Sequence, residues 1–144
     1  MKKFLITGCI LSLLAIVSCS KEDNTNNNDT GVNAVTQNIS AGNWRITMFW
    51  EEDHYETANF SGFAFVFKTD NTVSAAKDAT TINGNWSAGT DDSKTKLNLS
   101  FITPESFTEL NEDWEVLEST SARVRLLHVS GGDGSRDSLI FEKN

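Results

Sequence analysis

Between Trp44 and Phe141 the apolar residues recur at every second position in short runs, and this confines the chain to β-structure. Trp44, Ile46, Met48 and Trp50 alternate with Arg45, Thr47 and Phe49. A period of two sends successive side chains to opposite faces of a strand, so the first set is expected on the buried face. Residues 63–67 form a second strand with Phe63, Phe65 and Phe67 on one side. Further strands are expected over 72–76, 83–87, 96–101, 113–118, 122–128 and 138–142. Polar turns separate them: 51–54, 69–71, 77–80, 90–93 and a Gly-rich tip at 131–135. Gly84 permits a bulge or a close approach. Pro104, the only proline, ends its strand, and 104–111 holds one helical turn that buries Phe107 and Leu110.

Eight short strands at regular spacing, with no long helix, predict an all-β domain. Hairpin-length links favour an eight-stranded antiparallel up-and-down β-barrel, whose closure removes exposed edges. A β-sandwich is the alternative.

The N-terminus has a different character. Met1-Lys2-Lys3 precedes an apolar run from Phe4 to Val17. About 14 residues suit a secretory leader, whereas a membrane span needs ~20. Leu14-Ala15-Ile16-Val17-Ser18-Cys19 closes the run. This ending resembles the lipobox of bacterial lipoproteins. The resemblance implies a leader over 1–18, removed on export, and a Cys19 that receives a diacylglyceryl thioether and an N-acyl chain. Stable anchoring takes two membrane signals, which that pair supplies. Ser20-Lys21-Glu22-Asp23 looks like the surface-export signal of Bacteroidota lipoproteins. It implies the outer membrane, facing the medium, with a periplasm-facing protein as the alternative. Residues 19–38 are Asn-rich with few apolar side chains and read as a disordered tether, leaving 39–144 as one domain.

Removing Lys2 and Lys3 with the leader takes the formal net charge from −8 to −10. That balance excludes nucleic-acid binding, which needs Lys and Arg against phosphates, and a basic patch for anionic lipid. Cys9 leaves with the leader and Cys19 is assigned to lipid, so no disulfide is expected and stability must come from packing. The four Trp, Tyr55 and eight of the nine Phe, all beyond residue 43, supply the apolar mass.

A family resemblance joins these elements. Gly42-Asn43-Trp44 opens the first strand and Gly84-Asn85-Trp86 repeats it. Phe60 to Phe67, Asp70-Asn71-Thr72-Val73, Leu110 to Trp114 and Leu139 to Lys143 follow in order. Together they resemble the lipocalin-like domains of small Bacteroidota lipoproteins over about 40–144, a family largely without assigned activity. The resemblance implies a barrel with Trp44 inside near the closed end and Arg123 or Arg125 over it as a cation–π lid.

An eight-stranded barrel is either filled by its side chains or holds one small ligand. The expected ligand-binding lining is Trp44, Met48, Trp50, Phe63, Phe65, Phe67, Trp86 and Trp114, joined by Leu97, Leu99 and Phe101. Two functions are open. One is a small hydrophobic ligand in the barrel. The other is a protein partner, with loops such as 51–59, 77–82 and 130–137 presented by a packed scaffold. No catalytic residues, metal site or cofactor are expected. Glu51, Glu52, Asp53, His54 and Glu56 read as a solvated loop, short of a convergent ligand set with His128. No Gly-x-Ser-x-Gly elbow is present. The chain is expected not to be an enzyme.

Overall fold

The computed structural model describes residues 27–144. The expected leader, Cys19 and residues 20–26 lie outside the described residues. Nine strands follow: β1 (Trp44–Glu51), β2 (His54–Tyr55), β3 (Ala64–Phe67), β4 (Thr72–Lys77), β5 (Thr80–Asp91), β6 (Lys94–Phe101), β7 (Asp113–Ser119), β8 (Arg123–Val129) and β9 (Arg136–Lys143). Each pairs antiparallel with its neighbours, and β1 also pairs with β9. Six register pairs, from Trp44↔Lys143 to Trp50↔Ser138, make that closing ladder and exclude a sandwich. The two-residue β2 folds back only on the end of β1, so the other eight strands form the wall of an up-and-down barrel, as the alternation predicts. One of its two-residue hairpins joins β5 to β6 through Asp92 and Ser93, both at positive φ (47° and 62°), which suits the twist of the strands.

The apolar face of each strand points inward. This is the reverse of the apolar exterior and polar lumen of a barrel that spans a membrane. Trp44, Phe49, Phe60, Phe65, Phe67, Phe107, Trp114 and Phe141 are all shielded from solvent. Phe107, from the short helix α2 (Glu105–Thr108), sits within 5.2–5.9 Å of the ring centres of Phe60, Phe63, Phe65 and Phe101. Phe60 arrives from a 3₁₀ turn over Thr57–Phe60. The interior is therefore filled by aromatic side chains, in edge-on contacts and one stacked pair, Phe65 with Phe107, that add to their area burial. Gly84 makes the close approach its identity suggested: a Cβ there would lie 2.6 Å from both Phe101 and the Ser100 carbonyl.

Three expectations are corrected. Residues 27–38, expected as tether, belong to a helix, α1 (Asn27–Ile39). Its composition is poor for a helix, but Gly31, Val35 and Ile39 stand four residues apart on one stripe. Val35 and Ile39 are fully buried, and Gly31 lies so close to Thr95 that a Cβ would clash. Burying the two aliphatic side chains contributes roughly 1.5–3 kcal/mol each, so tertiary packing overrides weak propensity. Asn38 Nδ2 donates to the Ser119 carbonyl and hydroxyl at 3.2 and 3.1 Å, and the Trp44 indole donates to the Ile39 carbonyl at 2.7 Å. That last bond satisfies one of the carbonyls a helix end leaves open. The helix covers the closed end of the barrel, beside β5, β6 and β7.

The second correction concerns β1. Its ladder to β9 shifts between Ile46 and Met48, leaving Thr47 as the extra residue of a bulge. Beyond it the faces exchange. Phe49 turns inward and is fully buried, while Met48 and Trp50, expected in the lining, are half-buried on the outer wall. Thirdly, the cation over Trp44 is Lys143, 5.5 Å from the ring centre, and not an arginine. Arg123 instead faces Glu142 at 3.7 Å, and Arg125 faces Glu118 at 3.7 Å.

Candidate functional site

The end opposite α1 carries the unusual chemistry. Its floor is Phe49, Phe60, Phe107 and Trp114. Above them stands a rim of acids from four segments: Glu51 at the end of β1, Glu56 before the 3₁₀ turn, Glu109 after α2, and Asp137 in β9. The bulge that turns Phe49 inward also turns Glu51 inward, two positions on. Burial against the aromatic floor, then the like charges of Glu109, Asp137, Glu56 and Glu52, push its carboxyl from an ordinary 4.5 to about 7. Glu109 is raised as well, by burial first and then by Glu56 and Glu105. Its Oε2 is buried and has no hydrogen-bond partner among the described residues.

His54 partly offsets this charge. Its Nδ1 lies 2.9 Å from Asp53 and its Nε2 2.6 Å from Glu56. Those two hydrogen bonds, Asp53 first, raise its pKa and favour the imidazolium. Asn59 also donates to Glu56, and Asp137 accepts the Glu52 amide at 2.7 Å. The β1–β2 turn is thus held against β9 and the 3₁₀ turn, while residues 52–55 stay exposed to solvent as expected.

His128 belongs to a separate group on the rim. It stacks edge-on with Trp114, with Nδ1 3.1 Å from Asp113 and Nε2 3.5 Å from Glu112. One ligand atom each from Glu112, Asp113 and His128 lies within 4.8 Å of the others. Yet each imidazole nitrogen faces a different carboxylate, and Lys96 Nζ already sits 3.1 Å from Asp113. Burial works to raise the Asp113 carboxyl, but the Lys96 hydrogen bond and charge, with His128, hold it below the usual range. Ion pairing accounts for this group.

The structure gathers Trp44, Phe65, Phe67, Trp86 and Trp114 in the interior, with Phe63 half-buried against them. Trp86 is fixed by an indole bond to the Lys68 carbonyl at 2.9 Å. Met48 and Trp50 join a surface that sequence reasoning missed. On the outer wall the Trp50 and Tyr55 rings meet edge-on at 4.8 Å, and Tyr55 is 66% exposed. Beside the bulge, a groove of about 350 Å³ runs between Arg45–Thr47 and Thr57–Gly62, where β1 meets β3 at the single pair Trp44↔Phe65. The only signal for the bulge in the sequence was Phe49, an aromatic on the face expected to be polar.

No family model matches the chain, and no curated protein matches it. Among solved structures, it is similar to the crystal structure of a DUF4847 family protein from Bacteroides vulgatus ATCC 8482. That likeness has 18% identity and a TM-score of 0.49, and covers 76% of this chain and 97% of the other. It is too distant to bear on what this chain binds.

Proposed function

We propose that the protein is a non-catalytic, lipid-anchored interaction module whose packed barrel presents the acidic rim and the adjoining outer wall to a protein partner. The observation that carries this reading is the filled interior: Phe60 and Phe107 occupy the space that a hydrophobic ligand would need. Admitting such a ligand requires both rings to leave contacts that stabilise the fold. The rim and outer wall, by contrast, hold charge and aromatic surface that the fold does not consume. Cys19, by its lipobox resemblance, tethers the module to the outer membrane, with the domain turned to the medium.

Two experiments test this. Cys19→Ser is expected to move the protein from the membrane fraction to the soluble fraction; retention on the membrane contradicts the anchor. Pull-downs from membranes, comparing the native chain with one whose 51–59 and 130–137 loops are scrambled, are expected to recover a partner with the native chain alone. Equal recovery by both, or none by either, contradicts the interaction reading.

A further inference from the structure

We infer that the outer face of β2, β1, β9 and β8 is the docking surface of this module, and that its partner is a protein segment combining apolar anchors with lysine or arginine. The inference rests on the interaction reading above and names the surface and the partner's chemistry. Ladder registers build the surface. Tyr55, Trp50, Ser138 and Leu127 are successive cross-strand partners, so they form one lateral row on a single face. Met48 and Ile140 are paired in the adjoining row, and Val129 continues the Leu127 side at 48% exposure. Tyr55 and Val129 are exposed, Met48, Trp50 and Leu127 are half-buried, and Ile140 beneath them is buried. Trp and Tyr are among the residue types that dominate binding hot spots, and Met is enriched at interfaces. The bulge at Thr47 aims Met48 and Trp50 outward; without it both would face the core.

Charge selects the occupant. Arg45, Arg123 and Arg125, toward the closed end, each lie within 3.8 Å of Glu142 or Glu118. At the mouth side the β1–β2 turn carries Glu52, Asp53 and Glu56, three acids against two cations, His54 in the same turn and Arg136 paired with Val129 on the neighbouring strand. The uncompensated charge beside the aromatic row is therefore negative. A basic partner gains from it through steering and complementarity. A second copy would bring two acidic turns together, and an anionic lipid surface would be repelled.

The test is photo-crosslinking of the full chain carrying Tyr55→benzoylphenylalanine, with matched chains carrying the label at Ser87 on the opposite outer wall and at Asp133 in the β8–β9 loop. The probe is a short peptide alternating lysine with leucine and tryptophan; its control has glutamate for lysine. Phosphatidylcholine vesicles are the third arm. Labelling by the basic peptide at position 55 is expected to exceed that at 87 and 133, and that by the acidic control, by about fivefold or more. Glu52→Gln with Asp53→Asn, and separately Trp50→Ser, should lower it several-fold. Tyr55 is exposed, so its replacement leaves the fold intact, and circular dichroism checks the Trp50 variant. Labelling at 133 or 87 in preference to 55 overturns this surface but leaves the interaction reading standing. No peptide labelling at any position counts against both. Adducts to lipid, or to a second copy of the chain, overturn the choice of partner.

Discussion

The two ends of the barrel solve the same problem in opposite ways. Both must close over an aromatic core. At the closed end, α1 lays Val35 and Ile39 onto the barrel, Trp44 caps the helix carbonyl at Ile39, and Asn38 ties the helix to Ser119. Apolar surface is buried there and every polar group named has a partner. At the mouth, Phe60 and Phe107 also close the core, but the shell above them gathers carboxylates that repel one another. Among the described residues Glu109 Oε2 is buried without a hydrogen-bond partner and has only like charges near it besides His54. Arg123 Nε, the corresponding atom toward the other end, instead faces the opposite charge of Glu142 at 3.7 Å. The first end is arranged for stability. The second accepts an electrostatic cost, and such costs concentrate where function is placed.

Substitutions sharpen this contrast, and the largest effect is expected at the closed end. Trp44→Ala should destabilise the protein by about 4 kcal/mol, from the cavity and the lost indole bond. Urea unfolding followed by circular dichroism measures it. Phe107→Ala should cost about 3 kcal/mol in the same assay. It should also open a space under the mouth that an apolar dye enters, which Trp44→Ala should not do. A dye response from Trp44→Ala alone would reverse the assignment of the two ends.

The rim should reveal itself through pH. The Glu51 carboxyl is raised from 4.5 to about 7, so the folded state holds its proton more tightly than the unfolded chain. Stability from this group is full below about 4.5 and is lost as pH rises through about 7. Glu51→Gln should remove that loss, adding about 1 kcal/mol at pH 8 after allowance for solvent screening, and almost nothing at pH 4. Unfolding midpoints at the two pH values measure the difference; equal gains at both would contradict the shift. The smallest effect is expected on the outer wall. Tyr55→Ser should change stability by less than about 0.5 kcal/mol, because the ring is mostly exposed, and thermal unfolding is the check.

Much of this architecture was legible in the sequence. The alternation in 63–67, 96–101 and 122–128 reports the local pleat, and the inward side chains of those strands are where the pattern puts them. Phe107 and Leu110 are buried as the turn after Pro104 suggested. Two features were not legible, for physical reasons. The bulge at Thr47 exists only against β9, some ninety residues away, and exchanges the faces of Met48, Phe49, Trp50 and Glu51. The helix at 27–39 forms from polar residues because of what it packs on. Its one local trace is the four-residue spacing of Gly31, Val35 and Ile39. Both features bear on function: the bulge places an acid in the mouth and the aromatic pair on the wall.

The most direct test of the account is whether the native barrel admits a hydrophobic guest. A fluorescent fatty acid titrated into the native chain and into a Phe60→Ala, Phe107→Ala double variant, read by energy transfer from the barrel tryptophans, decides it. The account predicts no saturable binding by the native chain and one-to-one binding by the variant. Saturable one-to-one binding by the native chain would show that Phe60 and Phe107 yield to a ligand, and would contradict a barrel that serves only as a scaffold.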